Sequence, residues 1–325
     1  MPMKRGVLVA LGSIGALSLV IGGAVAWVGG KDLGPLLPPP EQCVATVNGA
    51  TVELELDQAE SAAIIAGVAV RRGLPGRAVT IALATAYQES GLRNLAHGDR
   101  DSLGLFQQRP SQGWGTTKQV QDPHYASGKF YDALVKIKDY QKLPITVAAD
   151  RVQRSAFPNA YADHEGDARV LASALTGNSK AVFSCTVNPD GVPVQTVGKN
   201  GLTPRADAVR RDLLATFGRI STGGYAPGGV RSGHMEGSAH YEGRAVDVFV
   251  RPITAANTTK GWAMAQYLVA RAKLLNIRTI IFSDKIWTAG GRSDSGWRDY
   301  TPPNRGGDEK ILRHLDHVHV DVLDD

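Results

Sequence analysis

The sequence predicts a multidomain chain: an N-terminal transmembrane helix, then a mainly α domain, then an α+β domain. Three observations carry that prediction. Gly6–Gly30 is a run of about 25 residues without a charge, placed behind Lys4 and Arg5, which is long enough to span a bilayer. Apolar residues then recur at helical spacing between Asp57 and Gly73, over Arg77–Ser90, over about Lys129–Leu143 and again beyond Thr146. In the last third, β-branched runs such as Ala245–Val250 alternate with helical stretches, the mixture expected of an α+β layer structure.

The 325 residues are 43% hydrophobic and 21% charged, a globular composition with room for two domains. The formal net charge of +5 is spread without a dense Lys/Arg run, so no nucleic-acid partner is expected; a solvated surface is the preferred reading, with attraction to an anionic cell-wall surface as the alternative. The basic flank at Lys4 and Arg5 predicts a cytoplasmic N-terminus, a membrane partner and an extracellular body on the cell membrane. Ala24-Val25-Ala26 also fits a signal-peptide cleavage site, in which case the body is secreted. The length of the apolar run favours the uncleaved anchor. In an exported chain, Cys43 and Cys185 are expected to form a disulfide around the segment between them.

Lys31–Gln42 is proline-rich and reads as a stiff spacer. The first domain is expected over Cys43–Thr186. Asp57 with Glu60 reads as a capping box and Gly73 as the end of that helix. A second helix runs from Arg77 to Ser90, with Val79, Leu83, Ala86 and Tyr87 on one face and Gly91 closing it. Leu92–Gly115 is a long loop of the kind that carries function. Val187–Thr203, with two prolines and three glycines, reads as a linker, and Pro204–Phe217 opens the second domain as a helix.

Glu89 ends its helix beside unsatisfied carbonyls and an apolar face. Both disfavour a charged carboxyl and raise its pKa, as a general acid requires. Tyr87-Gln-Glu89-Ser90-Gly-Leu, followed by Ser102 and Gly104-Leu-Phe-Gln107, resembles the signature of soluble lytic transglycosylases and goose-type lysozymes over roughly Ala59–Leu143. The resemblance implies a lysozyme-like fold in which Glu89 protonates the glycosidic oxygen of peptidoglycan. It also implies that Ser102 and Gln107 line the sugar cleft. Phe106 stands where the family has methionine, and the family's Ala-Tyr-Asn block is absent, with Tyr161 as its substitute. Asp99 and Asp101 are the candidate second carboxylates of a hydrolase; the reading preferred here is that they shape the turn, which favours transglycosylation over hydrolysis.

The second constellation is Ser238–Asp247. His240 and Asp247 lie seven residues apart, and Asp247 is a charge inside an apolar strand-like run, where a buried carboxylate needs a cation. Downstream, His317 and His319 fall two apart on another strand-like run and share one face. Ser-x-His240-x-x-Gly-x-Ala-x-Asp247 with a later His-x-His resembles the LAS group of zinc D-alanyl-D-alanine peptidases, whose scaffold hedgehog domains share. That resemblance covers Arg205–Val322. It implies a Zn2+ cofactor held by His240, Asp247 and His319. His317 is the preferred base, with Asp316 as the alternative, and Arg231 is a candidate oxyanion stabiliser. His314 matches a further family histidine. Trp287, Trp297 and Tyr300 are either sugar-stacking residues or core anchors.

Both halves point at peptidoglycan. The expectation is a membrane-anchored enzyme that cuts glycan strands and stem peptides; the alternative is a wall-binding scaffold with one or both sites inactive.

Overall fold

The computed structural model describes residues 39–154, 159–302, 304 and 306–324. The first described elements form a hairpin. β1 (Gln42–Val47) turns at Asn48-Gly49 into β2 (Ala50–Leu54), and both turn residues have positive φ, 51° and 82°. Asn-Gly is the dipeptide that adopts this turn at low strain. β3 (Phe183–Thr186) adds antiparallel to the other side of β1, with Cys185 directly opposite Cys43. The two cysteines form the expected disulfide.

α1 (Leu56–Arg71) follows, its N-terminus closed by the Glu55 N–H donating to Gln58 Oε1 at 3.0 Å rather than by an Asp57–Glu60 box. Every residue from Ala59 through Ala69, Glu60 excepted, is buried, because helices cover α1 on several sides. These are α2 (Gly76–Ser90), α4 (Pro123–Leu134) and α6 (Glu165–Leu175) from the first half of the chain, and α7 (Pro204–Phe217) and α8 (Ala255–Ala270) from the second. Between them lie the short α3 (Thr117–Val120) and α5 (Ile145–Gln153). Helix α4 starts six residues before the expected Lys129, because Asp122 caps it through His124 N (2.9 Å) with Pro123 in its first turn.

The second half is built on a six-stranded sheet with order β4-β5-β9-β6-β7-β8, antiparallel throughout. Its strands are β4 (Ser221–Gly223), β5 (Ala245–Phe249), β6 (Ile277–Phe282), β7 (Lys285–Thr288), β8 (Arg298–Asp299) and β9 (His317–Val322). α9 (Ala272–Leu275) and α10 (Glu309–Leu312) complete the described elements.

The two halves share polar bonds as well as a hydrophobic core. Gln266 on α8 is fully buried; its Oε1 accepts from Val182 N and Phe183 N at 3.1 and 3.0 Å, and its Nε2 donates to Ala174 O and Ser179 O at 2.6 and 3.0 Å. Arg271 bridges Glu60 of α1 and Asp212 of α7, both at 2.9 Å. Trp287 and Trp297 donate their indole N–H groups to Cys185 O (3.2 Å) and Phe183 O (2.9 Å). Both rings therefore anchor the fold rather than offer faces for sugars. Residues 39–325 accordingly form one compact unit.

Two expectations are corrected. The fold is mixed α/β, with ten α-helices and two sheets among the described residues, because the hairpin and β3 give the first half a sheet that a mainly α domain lacks. Among the described residues no helix is long and apolar enough to cross a membrane. The transmembrane architecture, the membrane partner and the cell-membrane localisation that followed from it are corrected accordingly; the Gly6–Gly30 segment on which they rested lies outside the described residues.

Candidate functional sites

The sheet register builds the histidine cluster. β5 pairs with β9 so that Asp247 lies directly opposite His319, Phe249 opposite His317 and Ala245 opposite Asp321. Strand alternation places His317, His319 and Asp321 on one face of β9. His240 comes from the turn that leads into β5, and it is buried, as are Asp247, Asp316, His317, His319 and Asp321. The face opens into a cavity of about 610 Å3, lined on its other sides by the 233–240 segment, Arg251, Tyr300 and Ile311.

Three donor atoms converge there. His240 Nε2 lies 3.1 Å from His319 Nδ1, His240 Nε2 lies 3.2 Å from Asp247 Oδ1, and His319 Nδ1 lies 3.2 Å from Asp247 Oδ1. The opposite ring nitrogens fix the tautomers. His240 Nδ1 is 2.7 Å from Gly224 O, and a carbonyl only accepts, so Nδ1 carries the hydrogen and Nε2 the lone pair. His319 Nε2 is 3.2 Å from Asp321 Oδ2, which leaves its lone pair on Nδ1. With neutral rings, two nitrogen lone pairs and a carboxylate oxygen therefore face one another, an arrangement that calls for a cation at their centre. Three ligands at about 2.0–2.1 Å from a tetrahedral metal are separated by about 3.3 Å, close to these distances.

The electrostatics agree. Burial pushes the Asp247 carboxyl up, but hydrogen bonds from His240 and His319 outweigh it and hold the group well below the usual carboxylate range. Burial pushes the His319 imidazole down, but hydrogen bonds and charge from Asp247 and Asp321 overcome it and lift the ring to about 10.

Gly224 is a requirement of this packing: a Cβ there would sit 2.3 Å from His240 Cε1. His234, His240 and Asp247 also present one ligand atom each within 4.8 Å of one another. The cluster is thus compatible with a metal site.

His317 stands beside the three donors, with Nε2 3.7 Å from Asp247 Oδ1. Its Nδ1 is 2.7 Å from Asp316 Oδ1, and Arg251 Nη2 holds the other oxygen of Asp316 at 2.6 Å. Both oxygens of Asp316 are occupied, so it orients His317 rather than facing the cavity as a free base. His314 packs against His317, with ring centroids 4.7 Å apart. Burial, then charge from His319 and His317, pushes its pKa down to about 3. Arg231 is exposed and is not among the residues lining the cavity; the guanidinium groups there belong to Arg244, Arg251 and Arg278.

Glu89 lies one residue from the end of α2, whose C-cap Gly91 adopts left-handed φ. Burial pushes the Glu89 carboxyl up, while hydrogen bonds from Tyr161 and Gln153 oppose the shift without cancelling it. Tyr161, fully buried in the short 3-10 turn Ala160–His164, donates its hydroxyl to Glu89 Oε1 at 2.8 Å. Ser102 and Gln107 lie in the loop that follows. Ser102 is buried, and Gln107 Nε2 is directed at His97 O and Gly104 O, both at 3.3 Å. The side chain that reaches Glu89 is instead Gln153 of α5, which also donates to Phe106 O at 2.7 Å. Asp101 binds Arg109 and Ser111 and is held down at about 2, chiefly by the Ser111 N–H; it shapes the turn. Asp99 is exposed and faces the Arg100 guanidinium at 3.9 Å.

Asp321 is legible in the sequence as a same-face neighbour two residues past His319. Gly224, His234, Arg251 and Gln153 carry no comparable signal. Residues 198–310 match the family described as VldE, C-terminal domain, a span that includes His240 and Asp247 and ends before His317 and His319. No curated protein matches the chain.

Proposed function

We propose that the chain degrades peptidoglycan with two sites, cleaving glycan strands at Glu89 and stem or cross-link peptides at a zinc centre held by His240, Asp247 and His319. The observation that carries this reading is the triangle of donor atoms with edges of 3.1–3.2 Å, both histidines held by a hydrogen bond on the opposite nitrogen. His319 closes that triangle more tightly than His234 does. Bound zinc would polarise a peptide carbonyl and lower the pKa of a water.

The chain's own residues do the rest. Asp316, clamped by Arg251, keeps the hydrogen of His317 on Nδ1, so Nε2 faces the cluster free to accept a proton from the attacking water and return it to the leaving amine. At the other site, burial raises the pKa of the Glu89 carboxyl, and Tyr161 and Gln153 hold it in place to protonate a glycosidic oxygen. Asp101, one of the candidate second carboxylates, is taken up in the turn by Arg109 and Ser111, which supports transglycosylation, with the substrate's own hydroxyl closing the ring.

The test is release of soluble fragments from purified peptidoglycan by the wild-type chain, Glu89→Gln and His319→Ala. Glu89→Gln should lower glycan cleavage by about 10²–10⁴ and spare peptide cleavage, His319→Ala should remove peptide cleavage and spare glycan cleavage, and glycan products should carry anhydro ends. A wild-type chain that releases neither kind of fragment is a wall-binding scaffold rather than an enzyme, and release that neither substitution reduces refutes both sites.

A further inference from the structure

The segment Gly233–Gly237 lies along the rim of the cavity, and four of its five residues are exposed; His234 alone is half-buried. An imidazole is a costly choice for the one inward position of a polar loop unless something inside uses it. Its ring stacks on the ligand His240, with centroids 3.9 Å apart and planes 22° from parallel. One of its nitrogens lies within 4.8 Å of the ligand atoms of both His240 and Asp247.

The backbone is built to hold it there. Tyr241, next to His240 in sequence, grips His234 twice: its hydroxyl accepts from His234 N at 3.1 Å and donates to His234 O at 2.8 Å. On either side, Gly233 (φ 92°) and Gly237 (φ 73°) occupy conformations that side chains rarely adopt, and a Cβ at either would meet no other atom. Glycine is therefore required there by backbone conformation alone, as at hinge points.

Resting on the metal-centre reading above, we propose that His234 is a fourth, displaceable ligand. It closes the metal's open position in the free protein and yields it when substrate enters the cavity. The Gly233–Gly237 segment is then the flap that carries it.

The test is metal binding by the full chain, stripped of metal and titrated with Zn2+ against a competing chelator, and with Co2+ for its visible spectrum. His234→Ala should weaken Zn2+ binding by at least about tenfold, as loss of even an outer partner of a ligand does. It should also change the Co2+ spectrum, and added imidazole should restore the wild-type bands by filling the vacated position. Tyr241→Phe, which keeps all four side chains but releases the flap, should weaken binding by a smaller factor. A wild-type chain that binds Zn2+ alongside a His234→Ala chain of equal affinity and unchanged Co2+ spectrum overturns the fourth-ligand inference and leaves the three-ligand site standing. A wild-type chain that binds neither metal removes the metal centre itself.

Discussion

Replacing Arg271 with methionine should destabilise the whole unit. The guanidinium is 10% exposed and sits between Glu60, on α1 of the first half, and Asp212, on α7 of the second, each at 2.9 Å. Methionine fills most of the volume and removes the charge. Asp212 keeps the Tyr267 hydroxyl at 2.6 Å, whereas Glu60, whose carboxyl is pushed up by burial against the pull of Arg271, loses its neutralising partner. Removing one member of a buried ion pair costs about 3–5 kcal/mol, because it strands the other. At about 2 °C per kcal/mol for a unit of this size, the melting midpoint should fall by roughly 6–10 °C. Calorimetry of wild type and variant is the assay, and each should show one transition, since the bridge, Gln266 and the shared core tie both halves together. Adding Glu60→Gln to Arg271→Met should recover part of the loss by removing the stranded charge. Two separate wild-type transitions, or a variant within about 0.5 kcal/mol of wild type, the usual range for inert surface changes, would refute the picture of one cooperative unit.

Other consequences are open to measurement. Glu89→Gln should lower glycan cleavage by about 10²–10⁴, the usual contribution of a general acid, and should raise stability at neutral pH. The sign follows from the raised carboxyl: stability is fully present below the unfolded-state value and is lost as pH rises through the folded one, and glutamine does not ionise. Tyr161→Phe removes a hydrogen bond that favours the charged carboxylate, so the alkaline limb of the glycan pH–rate profile should move to higher pH; a limb that stays put or moves down contradicts the assignment of Glu89 as acid. Reducing the Cys43–Cys185 bridge, which closes a separation of 142 residues, should cost about 2–5 kcal/mol, read as a lower denaturation midpoint. Asp321→Asn should weaken metal binding by about 10–100-fold, measured by chelator competition, because Asp321 orients His319.

The histidine–aspartate cluster is legible in the sequence because its geometry follows from strand alternation and a register. Asp247 in an apolar run and His317 and His319 two apart already imply one face of adjoining strands, and the pairing of Asp247 with His319 completes the match. The preference for His319 over His317 as candidate ligand rests on resemblance, not on spacing; the approach of His319 Nδ1 to His240 and Asp247 at 3.1 and 3.2 Å, against 3.7 Å from His317 Nε2 to Asp247, supplies its physical reason. What spacing cannot supply is anything reached through a loop. Position upstream of the motif points to Arg231 at the cavity, yet His234, three residues on, is the side chain the loop turns inward. Gln107 likewise follows its loop backbone, and Gln153, from the later helix α5, takes the place beside Glu89. The small sheet escapes a reading of periodicity although its signal is local: Asn48-Gly49 between alternating runs is a strong hairpin signature. The helical periodicity beyond residue 56 dominates that half of the chain and hides it.

Metal analysis of the purified full chain tests the central claim most directly. Prepared without chelators, the wild type should carry one zinc per chain by native mass spectrometry, and His319→Ala should carry none while keeping its fold by circular dichroism. A wild-type chain that holds no zinc and takes none up, or a His319→Ala chain that binds it undiminished, would contradict the assignment of His240, Asp247 and His319 as the metal site.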